Sequence, residues 1–504
     1  MEQFLIPCFF ASFYQTAWSL PLLVLSYFFL TFFLNICFIP GGFAWRYYHQ
    51  NPRNPLKGPK LSWPFLGFLP QMGTLAHRKL ASMASSLHAT RLMAISLGST
   101  RVVISSHPEI AKEILCGNSF SDRPIKESTI LLMFDRAIGF APSGDYWRHI
   151  RKTASIHMFS PRAISSLESL RQYIANEMVE KAHKEMKQRG FVNLKNILHK
   201  GSLHNVLGSV FGSSDKGNEL GLMVKEGYEL IGEFNWADYF PLGFLDIFGV
   251  RRRCHKLAAK VNNLVSELIR ERRKIGDFRM RNDFLSVLLS LPEEDRLNDA
   301  DMVAVLWEMI FRGVDNIAIL LEWTMARMVL HPKIQAKVQD EIDRCCGLDR
   351  VIQDSDIANL PYLQAVVKEV LRLHPPGPLL SWARLATHDV HVDKCFIPAG
   401  TTAMVNMWAI THDPTVWPDP WAFRPERFME EDFSIMGFNL RLAPFGSGRR
   451  ACPGKALGLA TVHLWLARFL QEFKWTPSEP VDLGECLKLS LEMKKPLLCY
   501  AISR

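Results

Sequence analysis

Pro444-Phe445-Gly446-Ser447-Gly448-Arg449-Arg450-Ala451-Cys452-Pro453-Gly454 joins a glycine-rich turn, two arginines and a single cysteine to a Pro-Gly that opens an apolar, helix-like run. A cysteine so placed is presented on a tight turn at a helix N-terminus, beside two guanidinium groups. A thiolate rather than a thiol persists in such surroundings. It is a soft ligand, suited to iron. A bare Cys-x-Gly also precedes many ordinary helices; the spacing of the whole stretch sets this one apart.

The chain has 504 residues, 48% hydrophobic and 22% charged, which describes a large packed body with an additional apolar part. That part comes first. From Gln3 to Trp45 there is no Asp, Glu, Lys, Arg or His. Within it, residues 18–39 form an apolar stretch of the length a bilayer span requires, about 20 residues. Arg46, Arg53, Lys57 and Lys60 follow, so the positive-inside rule keeps that side cytosolic and leaves Met1-Glu2 across the membrane. A cleaved secretory peptide would carry its positive charge before a shorter apolar core. Residues 1–45 are therefore read as a signal anchor, 46–64 as a basic, proline-rich linker, and 65–504 as one catalytic domain.

Ten cysteines show neither a Cys-x-x-Cys pair nor zinc-ligand spacing, which fits a reduced, cytosol-facing body. The net charge is +9, but basic runs such as Arg251-Arg252-Arg253 lack interleaved aromatics. They read as solvated helix faces, and no nucleic-acid partner is expected. An anionic membrane surface and an acidic protein partner suit the charge better.

Leu92 to Ser106 alternates and predicts short strands, while most of the remainder has helical periodicity. The longest helical signal runs from Asn298, a candidate N-cap, to Leu330 before His331-Pro332. As one helix it would extend roughly 50 Å. Its middle is apolar nearly all round, which means burial. Inside that middle lie Arg312-Gly313-Val314-Asp315-Asn316. Gly313 would admit a ligand to the backbone or let the helix open locally, and Asp315 is suited to handling protons. Elsewhere, Trp147 and Arg151 share a helix face, as do Glu369 and Arg372, and Pro425-Glu426-Arg427-Phe428 follows later.

Phe445, Gly448, Arg450, Cys452 and Gly454 match the haem-binding signature of cytochromes P450, and the chain is identified as resembling that family. Residues 375–386, 408–420 and 441–459 are similar to its plant 78A subfamily. The resemblance implies a mainly α fold with a smaller β region, the cytochrome P450 fold, preceded by one transmembrane helix. It implies haem b (iron-protoporphyrin IX), with Cys452 as axial ligand of the iron. Phe445, Gly448 and Gly454 belong to the cofactor loop, and Trp147, Arg151, Arg384 and Arg450 are expected at the propionates. Glu369, Arg372 and Arg427 form a buried structural triad by the same likeness.

Asp315 and Asn316 correspond to the residues that organise oxygen, water and protons. Here the chain departs from the pattern, because Asn316 stands where the family carries threonine. An amide can donate a hydrogen bond but cannot relay a proton as a hydroxyl does. The expected activity is a membrane-anchored haem-thiolate monooxygenase that hydroxylates a lipophilic substrate, by subfamily analogy a fatty acid. O2 and electrons from NADPH–cytochrome P450 reductase are the co-reactants, and Arg148, Lys152, Arg449 and Lys455 are candidate docking cations. Residues 130–140, 311–318 and 379–381 are expected to line the substrate space. The endoplasmic reticulum membrane, a single pass, a cytosolic catalytic domain and a role in plant organ or seed growth follow from the same likeness. Asn316 also keeps open a thiolate-haem enzyme that rearranges a peroxide, or a ligand sensor, working without reductase.

Overall fold

Helices carry most of the chain in the computed structural model, which describes residues 5–48, 56–124, 126–212, 216–240, 246–276, 282–347, 350–379, 383–431 and 433–504. The first helix runs from Leu5 to Cys37 with Pro21 inside it, and Leu22, Leu25, Phe28 and Phe29 on it are exposed. Among the described residues no helix is long and apolar enough to cross a membrane, so the span read over 18–39 is not shown by the structure. Met1-Glu2 lie outside the described residues.

The chain after this helix is bonded to the body at once. Ser62 N donates to Cys37 O at 3.0 Å and Gly41 N to Pro59 O at 2.9 Å. Trp45 is fully buried and its indole N–H donates to Ile95 O at 2.9 Å. Ala94 N donates to Lys57 O at 2.8 Å. The described part of the 46–64 stretch thus lies against the sheet.

That sheet has four strands in the order Met93–Leu97, Thr100–Ser105, Thr402–Val405 and Arg384–Leu385. The first two form the hairpin expected from Leu92 to Ser106, with Met93 opposite Ile104. Gly98, at φ +60, supplies the left-handed residue its tight turn requires. Thr100–Ser105 then pairs in parallel with Thr402–Val405. The antiparallel partner of that strand places Arg384 opposite Ala403 and sets its side chain in the protein interior.

The predicted continuous helix over 298–330 is instead two, Asp299–Gly313 and Asp315–Leu330, which meet at Val314. Two local causes are visible. Gly313 has no Cβ, and one built there would lie 2.9 Å from Val206 Cγ2 on the neighbouring helix Leu194–Phe211. That close approach lets the Ser202 hydroxyl donate to Val314 O, occupying a carbonyl at the break. The ends agree with expectation: Asn298 Oδ1 accepts from Asp301 N at 2.9 Å, and a new helix starts at Pro332.

Glu369 and Arg372, both fully buried, close the helix Pro361–Leu373. Arg372 grips Glu369 with two bonds of 2.8 and 2.9 Å, and Arg427 Nε approaches the same carboxylate at 3.2 Å. Nearby, His412 stacks on Trp408 with ring centroids 4.2 Å apart. Burial pushes its imidazole from 6.5 down to about 4, and pushes fully buried His374 down as well. Above pH 6.5 both states are neutral at His412 and its contribution is complete. As the pH falls from 6.5 toward 4, the unfolded chain binds a proton that the folded chain refuses. Stability is expected to drop there by on the order of 1 kcal/mol per pH unit for such a group. Thermal melting at pH 7 and pH 5 checks this, and His412→Gln should flatten the difference.

Candidate active site

The cysteine loop folds as its residue types dictate. Gly448 has φ +68, and a Cβ there would lie 2.3 Å from Leu115 O, so only glycine fits the turn and its neighbour. Ala451 N donates to Gly448 O at 3.1 Å, and Cys452 N to Phe445 O at 2.9 Å. Cys452 stands three residues before the helix Lys455–Glu472 and exposes its thiol.

Between this loop and the break in the central helices lies a cavity of about 1730 Å³, counting its opening to solvent. Its wall includes Phe445, Arg450, Cys452 and Gly454 on one side and Arg312, Gly313, Asn316 and Ile317 on the other. Ile138 and Gly139 line it from the predicted 130–140 segment. Of the predicted 379–381 segment, Leu380 and Ser381 lie outside the described residues.

Three arginines are stapled to the cysteine loop, and a fourth, Arg450, reaches outward from it. Arg151 donates to Ala451 O at 2.5 Å, Arg384 to Ser447 O at 3.0 Å, and Arg123 to Arg450 O at 3.3 Å. Arg450 reaches Ser121 O at 3.0 Å and Ala141 O at 2.7 Å. All four line the cavity.

Several expected site residues stand elsewhere. Trp147 does not line the cavity; its N–H goes to Ile138 O at 2.9 Å, and its ring lies under the Arg450 guanidinium at 4.2 Å. Gly448 is behind the wall. Asp315 also stands off it: helical spacing puts Arg312, Asn316 and Ile317 on the cavity face, and the Asp315 carboxylate lies 3.5 Å from His199 Nδ1 instead. Asn316 does line the cavity, and the Ser490 hydroxyl donates to its Oδ1 at 3.1 Å.

The donor set fits a flat, dianionic cofactor that takes a thiolate ligand. Burial pushes Arg384 and Arg450 down to about 10, and a neighbouring arginine adds to this at each. Arg123 is pushed down further by burial and then by Arg384, Arg312 and Arg450. Among the described residues Arg384 Nε is buried without a partner. Such a cluster calls for carboxylates, which the haem propionates supply.

The family profile described as "Cytochrome P450" matches residues 56–500. This chain is a cytochrome P450. It is 52% identical over 481 residues to cytochrome P450 78A5 of Arabidopsis thaliana, with 92% of each chain covered. Cytochrome P450 78A3 of Glycine max is 52% identical over 474 residues, 91% of this chain and 90% of that one. The flavonoid 3'-monooxygenase of Arabidopsis thaliana is 34% identical over 479 residues, 90% of this chain and 92% of that one. The protein is thus a plant 78A-like cytochrome P450, a haem-dependent monooxygenase.

Two features of the site of this P450 escape the sequence reading. Arg123 sits in an unremarkable Asp122-Arg123-Pro124 that only the fold carries to the cysteine loop. Glu308, four residues before Arg312 on one face of the central helix, lines the cavity beside it, whereas Arg312 itself falls in the expected 311–318 segment. A carboxylate among apolar neighbours was the signal for Glu308.

Proposed function

We propose that this cytochrome P450 hydroxylates a lipophilic, fatty-acid-like substrate at the end of the cavity away from the cysteine loop, with Cys452 as the iron's axial ligand. The observation that carries the reading is the joint placement of Cys452 and four arginines on one wall and the opened central helix on the other. Arg123, Arg151, Arg384 and Arg450 would hold the propionates, with Trp147 supporting Arg450 from below. Phe445, Gly448 and Gly454 would shape the loop that carries the ligand. Bound haem supplies dioxygen activation by stepwise electron delivery, which no side chain can perform.

The protein's part is to bind, orient and manage protons. Asn316, its Oδ1 engaged by Ser490, would offer an amide N–H to an acceptor in the cavity. Asp315, one residue away and paired with His199, would be the carboxylate through which protons arrive. Gly313 keeps the backbone low at this point.

Electrons would come from NADPH–cytochrome P450 reductase, docked by exposed Arg148, Lys152 and Arg449, with Lys455 at the rim. The Leu5–Cys37 helix, with its exposed apolar side chains, would anchor residues 1–45 in the endoplasmic reticulum membrane and leave the 65–504 domain in the cytosol. A role in plant organ or seed growth rests on subfamily likeness.

Incorporation of oxygen from O2 into a fatty acid by the purified protein, dependent on NADPH and reductase, tests the proposal. Its absence overturns it. Asn316 favours one second reading, a reductase-independent enzyme that rearranges a peroxide. Product formed from a lipid hydroperoxide without NADPH would support that instead. Under the first reading Asn316→Thr, which restores a proton-relaying hydroxyl, should raise the product-to-NADPH ratio severalfold. An unchanged ratio would show that the amide suffices.

A further inference from the structure

Residues 433–442 form a loop of turns that lies against the cysteine loop. The Ser447 hydroxyl donates to Gly437 O at 2.6 Å, and Lys455 Nζ donates to Met436 O at 2.8 Å. Gly437 has φ +97, and a Cβ there would lie 2.5 Å from Gly446 O, so the two loops meet backbone to backbone. Phe433, Ile435 and Leu440 turn inward and are buried. Phe438 does the opposite. It is 84% exposed, and among the described residues no large apolar side chain is more so.

A single exposed apolar residue is commonplace; position sets this one apart. It stands one residue from the backbone contact with the loop that carries Cys452, where Gly448 and Arg449 also reach the surface. The cations on this side are unpaired. Arg449 and Lys152 are exposed, and neither they nor Lys455 has a carboxylate partner among the described residues. Lys152 follows Arg151, which is bonded to Ala451 O, and Lys455 is bonded two residues from Phe438. Arg148 offers less charge, being paired with Asp145. An aromatic anchor accompanied by unpaired charges has the composition of a protein interface, in which the ring supplies buried contact and the charges guide approach. The complementary surface is acidic, with an apolar recess for the ring. Since the loop is held at Met436 and Gly437, the ring is positioned before docking and loses little freedom on it.

We propose that Phe438 is the apolar anchor on which an acidic flavoprotein electron donor docks, with Lys152, Arg449 and Lys455 as the cations that steer it. This rests on the reading above that a reductase supplies the electrons, and adds the residue that holds the donor once the charges have brought it in. The donor then sits directly on the segment bonded to the cysteine loop.

The full-length, haem-loaded protein in phosphatidylcholine vesicles is titrated with NADPH–cytochrome P450 reductase, and haem reduction is followed by growth of the CO-bound band after NADPH is added. Phe438→Ser should raise the half-saturating reductase concentration at least fivefold. The band reached with dithionite, which needs no docking, and the melting temperature should stay at their wild-type values. Phe438→Leu, which keeps an apolar anchor, should recover most of the loss. Lys455→Gln should instead weaken the dependence on salt concentration, a change Phe438→Ser does not make. Half-saturation within twofold of wild type in Phe438→Ser overturns the anchor and leaves the reductase reading standing. An unchanged titration accompanied by altered self-association or vesicle binding would assign the residue to a second copy or to lipid, and overturns it as well. If dithionite produces the band in the wild type but NADPH and reductase do not, the reductase reading falls and the anchor with it.

Discussion

Cys452→Ser is expected to abolish the absorption band of the reduced, CO-bound thiolate-haem while leaving the polypeptide folded. Serine keeps the size of the side chain and the backbone bond from residue 452 N to Phe445 O. It removes the soft sulfur ligand from that wall, since a hydroxyl does not ionise near neutral pH and thiolate is what such an iron site uses. The thiol is exposed to the cavity, so no core packing is lost. The stability of the haem-free chain should change by less than about 0.5 kcal/mol. Spectroscopy and melting together separate loss of a ligand from loss of a fold. A wild type without the band, or a serine variant that keeps it, would sink the assignment of Cys452.

The second large effect lies on the far side of the helix. Glu369→Ala is expected to cost about 3–5 kcal/mol, the usual penalty for orphaning a buried ion pair. Glu369 accepts two bonds from Arg372, one from Arg427 Nε and one from Arg424 N at 2.9 Å. Both glutamate and Arg372 are fully buried, so removing the carboxylate strands two guanidinium groups away from water. Arg372 also donates to Thr411 O at 2.8 Å and Pro420 O at 2.7 Å, which ties the helix to the segment leading into the cysteine loop. Loss of the carboxylate should therefore appear as loss of haem-loaded protein, not as a change in turnover by the fraction that survives. Denaturant titration and the yield of CO-binding haem check it. Wild-type stability in Glu369→Ala would show that the cluster is decorative.

The parts of this protein that were legible in its sequence are those whose function is local. The cysteine loop is readable because Gly446 and Gly448 supply the left-handed backbone its turn needs within a few residues. The Leu92–Ser106 hairpin shows for the same reason, in its alternation and its Gly98. The Thr402–Val405 strand is visible as a strand, but its parallel place beside Thr100–Ser105 joins segments far apart in the chain and leaves no local trace. Arg123 reaches the cysteine loop through that same long-range folding.

Asp315 illustrates a subtler obstacle. Arg312, Gly313, Asn316, Ile317 and Leu320 line the cavity at ordinary helical spacing across Val314, so the interruption there leaves the phase unchanged. On that period Asp315 faces away and meets His199, while Asn316 keeps the cavity. The period was legible in the sequence, but which face of it the cavity takes depends on segments far away in the chain.

The junction after the first helix fixes how that helix meets the body. Ser62 N bonded to Cys37 O, Gly41 N bonded to Pro59 O and the Trp45 indole fixed to Ile95 O leave the tether no slack. These bonds tie the first helix to the body at its C-terminal end. If the helix stands in a bilayer, the tilt of the catalytic body above the lipid is set by three hydrogen bonds, and so is the direction from which an oily molecule meets the cavity mouth.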